Sequence, residues 1–371
     1  MNYQDKLRIV HYAEADVYGG TLEALYLLAS AQAGEGYDVS VILPSSEALA
    51  GFYKKLSSKN IKFLPMPAVK GPIGGALSFM RLFGGADILH IHRHISSSGI
   101  LTVFAAKLKG AARIIATEQF YALDVKSQAL RLMKFFSAFF CSSVIAVSED
   151  VRKSMIAKHH SPAWKISVIG NAVDTGRFSG KEKDPTLLAS AGAAPDDFII
   201  VSVSSIEHRK GCHRLVALAA ELLKRGFKFR IIVAGNGPDL QKMRDLAASS
   251  GVGDYINFTG FLEGTARLYA SGSVFILLSD KEGMPLAVLE AMAAGLPVIV
   301  SGFEGAREQV IEGENGYIID KNNIRSAADK IMQLAGNPGA LSSMSANSRR
   351  RSRLFDIKEI WGKYSTLYLQ K

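Results

Sequence analysis

Apolar runs of strand length alternate along this chain with longer segments whose apolar residues return at helical spacing. In the first half the runs are Leu7 to Tyr12, Asp38 to Leu43, Ile61 to Pro65, Asp87 to His92, Arg113 to Thr117, Ser143 to Val147 and Ile166 to Gly170. The second half repeats the grammar with Phe198 to Ser204, Lys228 to Ala234, Tyr255 to Gly260, Ser273 to Ser279, Leu296 to Ser301 and Gly316 to Ile319. Strands separated by helices pair in parallel through right-handed crossovers. The pattern therefore predicts an α/β chain of two doubly wound, Rossmann-like domains. Arg177 to Asp197 is rich in Lys, Asp, Gly, Ala and Pro and lacks an apolar period, as a linker would. The expected division is residues 1–176, a linker at 177–197, and 198–356, with 357–371 a closing helix that packs back towards the first domain. Doubly wound sheets bind ligands beyond the carboxyl ends of their strands, so two such domains facing each other would share one cleft.

A length of 371 residues with 48% hydrophobic composition suffices for more than one core. Met1 to Lys6 are polar and lead straight into a strand, which is no signal peptide. No stretch reaches the ~20 uninterrupted apolar residues that span a bilayer; the most tempting run, Pro285 to Val300, carries Glu290 near its middle. A cytoplasmic chain is expected. Its two cysteines, Cys141 and Cys212, give neither a disulfide framework nor a zinc spacing and should be buried and inert. Charge is uneven: residues 1–180 hold 20 Lys/Arg against 13 Asp/Glu, the remainder 24 against 21. A basic half implies an anionic partner. Nucleic acid is discounted, because the basic residues are dispersed and form no recognition helix or aromatic-interleaved patch.

The most informative segment runs from Asp280 to Pro297. After a strand ending at Ser279, Glu282 and Gly283 form a turn, and Pro285 suits the first helical position, where its missing N–H costs nothing. The N–H groups of Leu286 and Ala287 then point out of a helix start, which attracts a phosphate. Glu290 follows about one and a half turns later, so both carboxylates can border one pocket. Taken alone, the same residues also fit a solvated loop acid and a surface helix acid.

The E-x7-E pattern from Glu282 to Glu290, within E-G-M-P-L-A-V-L-E-A-M-A-A-G-L-P-V, resembles the signature of glycosyltransferase family 4, whose members have the GT-B fold. Tyr18-Gly19-Gly20-Thr-Leu-Glu23 resembles the family's N-terminal Gly-Gly loop, and Ala146-Val-Ser148-Glu149 and Ile169-Gly-Asn171-Ala-Val-Asp174 its late N-domain motifs. Arg209-Lys210-Gly211, Gly235-Asn-Gly237-Pro238, Phe258-Thr-Gly260-Phe261 and Glu312-Gly-Glu-Asn315-Gly316 follow in the family's order. The resemblance covers nearly the whole chain. It implies retaining transfer of a hexose-type sugar from a nucleoside-diphosphate sugar to a glycan or lipid-linked acceptor, as in bacterial surface polysaccharide synthesis. Glu290 would take both ribose hydroxyls, and Glu282 the sugar hydroxyls. Gly283, Met284, Leu286 and Ala287 would meet sugar or phosphate. Arg209 and Lys210 would neutralise the departing diphosphate, with Gly20 opening the backbone to the same phosphate.

Two departures stand out. Ser204-Ser205 occupies the place where many relatives have Gly-Arg, so Arg209 is expected to supply the missing cation. Thr117-Glu118-Gln119 lacks the His that relatives often place after the Thr; Gln119 can bond a sugar hydroxyl but cannot act as a base. His90, His92 and His94 would share a strand face, which invites a metal, but no neighbouring Asp or His completes a shell and no D-x-D occurs. Transfer without metal or other cofactor is expected, with His92 and Gln119 on the acceptor side. A nucleotide-sugar epimerase and a non-catalytic partner subunit share this fold; an NAD-dependent dehydrogenase is disfavoured, since G-x-G-x-x-G is absent. From about Lys126 to Phe140, Leu132, Phe135, Phe136, Phe139 and Phe140 form one apolar face, with Lys126, Arg131 and Lys134 off it. Such a face ordinarily packs on its own sheet; with basic flanks it also suits the surface of an anionic membrane, the inner face of the cell membrane here.

Overall fold

The structure, a computed structural model, describes residues 7–66, 82–93, 100–120 and 127–369. His94 and Lys126 lie outside the described residues. The thirteen apolar runs form thirteen strands: β1 (Arg8–Ala13), β2 (Asp38–Leu43), β3 (Lys62–Pro65), β4 (Ile88–Arg93), β5 (Arg113–Glu118), β6 (Ser143–Ala146), β7 (Ile166–Val168), β8 (Phe198–Val203), β9 (Phe229–Ala234), β10 (Ile256–Gly260), β11 (Val274–Leu277), β12 (Val298–Ser301) and β13 (Gly316–Ile319). They build two all-parallel sheets, ordered β3-β2-β1-β4-β5-β6-β7 and β10-β9-β8-β11-β12-β13. Each order reverses direction once, between β1 and β4 and between β8 and β11. Those reversals are where doubly wound sheets hold ligands.

The chain divides into two compact units, Met1–Ala172 with Ile357–Lys371, and Val173–Asp356. In the first, the helix Ile357–Leu369 buries Ile360, Trp361, Tyr364 and Tyr368 among Ile9, Ile88, Ile115 and Ile145 of the sheet. In the second, the helices Cys212–Lys224 and Ile324–Ala335 cover β8, β9 and β11 with Leu215, Leu222, Ala327 and Ile331. Residues 177–197, read from composition as a linker, belong to the second unit and hold the helix Pro185–Ser190. Asp184 Oδ1 caps that helix at the Leu187 N–H (3.0 Å), and the Asp184 N–H donates to Ser271 Oγ (2.8 Å). Just before it, buried Phe178 meets Tyr269 edge-on at 5.7 Å. The contacts with Ser271 and Tyr269 are non-local, which is why composition alone reads the segment as unstructured.

The helix Gln128–Phe140 packs with its polar side inward. Its buried residues are Lys134, Ser137 and Ala138, while Leu132, Met133, Phe136 and Phe139 are exposed. An apolar stripe docked on its own sheet is therefore overturned here. What draws the polar side in is charge: the Arg93 guanidinium at the end of β4 donates to Ser137 Oγ (2.5 Å). Beside it, burial pushes the Glu118 carboxyl up and the Lys134 ammonium down, and each charge opposes the other's shift. Lys134 is thus an interior cation and no part of a basic surface.

Candidate functional site

In the second unit β11 ends at Leu277 and the chain turns through 278–285 before the helix Leu286–Ala294. Asp280 fixes this turn. Its Oδ1 accepts from Arg214 (2.7 Å) and Lys321 (2.8 Å), and those bonds hold its carboxyl below the usual range although burial works the other way. The Asp280 N–H donates to the Arg209 carbonyl (2.7 Å), which ties the turn to the basic segment 208–210. Gly211 ends that segment at φ +73°, and a Cβ there would lie 2.1 Å from the Leu278 carbonyl oxygen. Only glycine permits both the conformation and the approach.

Glu282 is brought by this turn to the centre of a small ionic cluster and is nearly fully buried. Its Oε1 lies 2.5 Å from Lys210 Nζ and accepts from Ser279 Oγ (2.9 Å); its Oε2 lies 3.9 Å from Arg209 Nη1. Arg209 also reaches Glu207 (2.8 Å). Ser301 Oγ donates to the Ser279 carbonyl (2.6 Å), so the floor of the cluster is anchored on β12. Glu282, Arg209 and Lys210 are therefore neighbours in space although 72 residues separate Lys210 from Glu282. A nearly buried carboxylate thus lies against a lysine and an arginine brought from a distant segment.

The helix that follows differs in one detail from the sequence expectation. Pro285 is the residue before the helix, with ψ 128°, and Leu286 is the first helical residue. Among the described residues no side chain caps this end. The first-turn N–H groups, those of Leu286 and Ala287 among them, have no carbonyl within the helix to donate to. Gly283, Met284 and Leu286 are buried and Ala287 is half-buried. Glu290, half-buried, accepts from the Tyr269 hydroxyl (2.9 Å); burial and then the Glu290 charge hold that phenol protonated. The motif gave no sign of Tyr269, whose helix Ala266–Ser271 contributes it from outside the E-x7-E segment. Gly20 is the first residue of the helix Gly20–Gly34, after an extended Gly19. A Cβ built on Gly20 meets nothing within 4 Å, so packing does not demand glycine there.

His92 and Gln119 stand at the ends of β4 and β5 in the first unit and line one small cavity with Asn171 and Tyr364. His90 and His92 do share a face, and β1 adds His11, whose strand neighbour is His90. Ligand nitrogens of the three lie within 4.8 Å of one another. His11 went unnoticed in sequence because a lone histidine in an apolar run carries no spacing signal. The ring nitrogens of His11 and His90 are occupied by hydrogen bonds: His11 with Gln32 and His92, His90 with Tyr368 and Thr117. Their geometry is that of a hydrogen-bonded chain, and a metal would have to break it.

Residues 184–351 match the family model described as "Glycosyl transferases group 1", and residues 18–177 match "Glycosyltransferase Family 4". A GDP-mannose-dependent alpha-(1-6)-phosphatidylinositol monomannoside mannosyltransferase of Mycobacterium tuberculosis is 27% identical over 323 residues, 81% of this chain and 79% of that protein. An Escherichia coli UDP-Gal:alpha-D-GlcNAc-diphosphoundecaprenol alpha-1,3-galactosyltransferase is 23% identical over 390 aligned positions, covering 98% and 97%. The crystal structure of HepE of Anabaena in complex with UDP-glucose superposes with a TM-score of 0.83 at 18% identity, over 97% of this chain and 98% of that one.

Proposed function

Because the chain belongs to glycosyltransferase family 4 and has the GT-B fold, we propose that it is a retaining, metal-independent hexosyltransferase. It moves a sugar from a nucleoside-diphosphate sugar to a glycan or lipid-linked acceptor, in surface polysaccharide synthesis. The observation that carries this reading is the cluster of Glu282, Lys210 and Arg209 beside an uncapped helix start. The helix start and the two cations suit a diphosphate, and Glu282 then lies where a sugar on that diphosphate would offer hydroxyls. Gly283 and Met284 shape the turn, and the Leu286 and Ala287 N–H groups face the donor. Glu290, further along the helix, takes the ribose hydroxyls. Gly20, which no packing requires, leaves backbone open to phosphate.

As the sugar–phosphate bond breaks, the leaving diphosphate gains negative charge while the sugar becomes oxocarbenium-like; cations already in place stabilise that state more than the ground state. A double displacement needs two carboxylates flanking the bond at ~5 to 5.5 Å. With Glu290 on the ribose, same-face attack with the departing phosphate as base fits better. The relatives support the donor class, since one is named for GDP-mannose and one for UDP-galactose. Incubation with UDP- and GDP-hexoses in EDTA tests it: at least one donor should release its nucleoside diphosphate as fast with chelator as without. Release from none would indicate a non-catalytic subunit. A converted sugar still on its nucleotide would indicate an epimerase, and loss of turnover in EDTA would restore a metal.

The first unit is proposed to rest on an anionic bilayer. Among the described residues no helix is long and apolar enough to cross a membrane. The helices Ile100–Leu108 and Gln128–Phe140 lie side by side, with Phe104 and Phe140 rings 5.0 Å apart. Together they expose Leu101, Phe104, Leu108, Leu132, Met133, Phe136 and Phe139, each 41 to 75% accessible. Exposed Lys107 and Lys109 adjoin this patch. Apolar anchors beside cations suit an anionic interface. Vesicles containing phosphatidylglycerol should sediment the protein, and salt should weaken this. K107Q/K109Q should reduce sedimentation with the melting temperature nearly unchanged. Equal binding to neutral and anionic vesicles, or to neither, would contradict the proposal.

A further inference from the structure

The three buried histidines of the first unit form a directional chain. Gln32 Oε1 can only accept, so the proton between it and His11 Nε2 (2.7 Å) belongs to His11. Burial lowers the pKa of His11 to about 4 and keeps His90 and His92 well below the usual histidine range, so each ring is neutral and carries one N–H. His11 Nδ1 is then a bare lone pair, and the hydrogen bond to His92 Nε2 (2.9 Å) must be donated by His92. That leaves His92 Nδ1 as a bare acceptor, and among the described residues it is the one ring nitrogen of the three with no partner. His92 is 4% exposed and lines the cavity it shares with Gln119, Asn171 and Tyr364, which has room for about one water-sized group. His90 stacks on the His92 ring at 4.3 Å and is itself pinned by Tyr368 and Thr117, so the His92 ring cannot readily turn.

We propose that His92 Nδ1 and the cavity before it form a subsite for a single hydroxyl of the acceptor glycan, which donates its hydrogen to that nitrogen. Gln32, acting through His11, is the positioning residue that sets the tautomer. The ligand class follows from the atom: a bare, uncharged acceptor in a water-sized space suits an O–H donor and disfavours an ionised carboxylate or phosphate, which brings no hydrogen. The proposal rests on the reading of the chain as a glycosyltransferase with its acceptor on the first unit, and deepens it.

Long-range proton–nitrogen correlation spectra of the full chain, labelled with 15N at its eight histidines, read the tautomers directly. Assignment comes from H92N and H11N. His11 and His92 should both show a protonated Nε2 and a bare Nδ1 at neutral pH. Adding octyl glucoside, galactoside or mannoside below its micelle concentration should shift His92 Nδ1 saturably with at least one of them, whereas UDP and GDP should not. Q32M, which removes the acceptor, should scramble the His11 and His92 tautomers and weaken that glycoside about tenfold. Q32E, whose carboxylate favours a second proton on His11, should turn the His11–His92 hydrogen bond round, move the His92 proton to Nδ1 and weaken the glycoside as well. A protonated His92 Nδ1 in the wild type, no shift with any glycoside, an equal shift with nucleotide, or wild-type tautomers in Q32E would overturn the proposal. Should Q32M fail to fold, the wild-type and Q32E spectra decide alone. Loss of nucleotide binding with this glycoside response intact would instead count against the donor reading.

Discussion

Lys210→Ala should lower kcat by about 10²-fold or more while weakening ground-state donor binding far less. Lys210 is held 2.5 Å from Glu282, and Arg209 stands 3.9 Å from the same carboxylate. Lys210 is therefore pre-positioned, and needs no reorganisation when charge develops on the departing phosphate. The ground-state diphosphate already has Arg209 and the helix start to neutralise it, so the missing cation is felt most at the transition state. Removing Lys210 also leaves a nearly buried carboxylate with, among the described residues, Ser279 and a more distant Arg209, so some fall in melting temperature accompanies the rate loss. Lys210→Arg should not restore the rate, because a planar guanidinium cannot replace a point charge in that space. Steady-state kinetics with the donor identified by nucleotide release check this. A change confined to KM would show that Lys210 only binds.

The two sheets were legible because a parallel strand buried on both faces must be a near-continuous apolar run. Asp38–Leu43 and Gly316–Ile319 show this with matching bounds. Glu282, Lys210 and Glu290 were singled out through the motif order, and the structure adds that the first two touch. The helix Gln128–Phe140 was not legible in its orientation. Periodicity marks an apolar stripe but not the side it faces, and the inward pull comes from Arg93 and Glu118 on other strands. Tyr269 and His11 were missed for a related reason. Each acquires its role from a partner brought by tertiary structure, Glu290 in one case and Gln32 with His92 in the other. The segment 177–197 was misjudged by composition, since one capped helix and the buried Phe178 preceding it suffice to build it into the second unit.

Glu290→Ala should weaken binding of the nucleoside-diphosphate sugar at least about tenfold, with a smaller change in kcat at saturation. A carboxylate can accept from both ribose hydroxyls at once, and charge-assisted bonds of this kind contribute about 1.5 to 3 kcal/mol. Tyr269 occupies one edge of that carboxylate, donating to Oε2 at 2.9 Å, which fixes the orientation of the other oxygen. Glu290→Gln keeps the shape but offers one acceptor and one donor, so it should lose most of the same affinity. The ribose contact also separates the two parts of the donor: free UDP or GDP should lose as much affinity as the intact sugar nucleotide, because the lost bonds lie on the nucleoside. Whether the second unit holds the donor by its nucleotide on the helix Leu286–Ala294 is read by calorimetric titration of the active donor and its free nucleoside diphosphate into the wild type and Glu290→Ala. Parallel losses of about tenfold or more for both ligands are predicted, and unchanged affinity for either would contradict it.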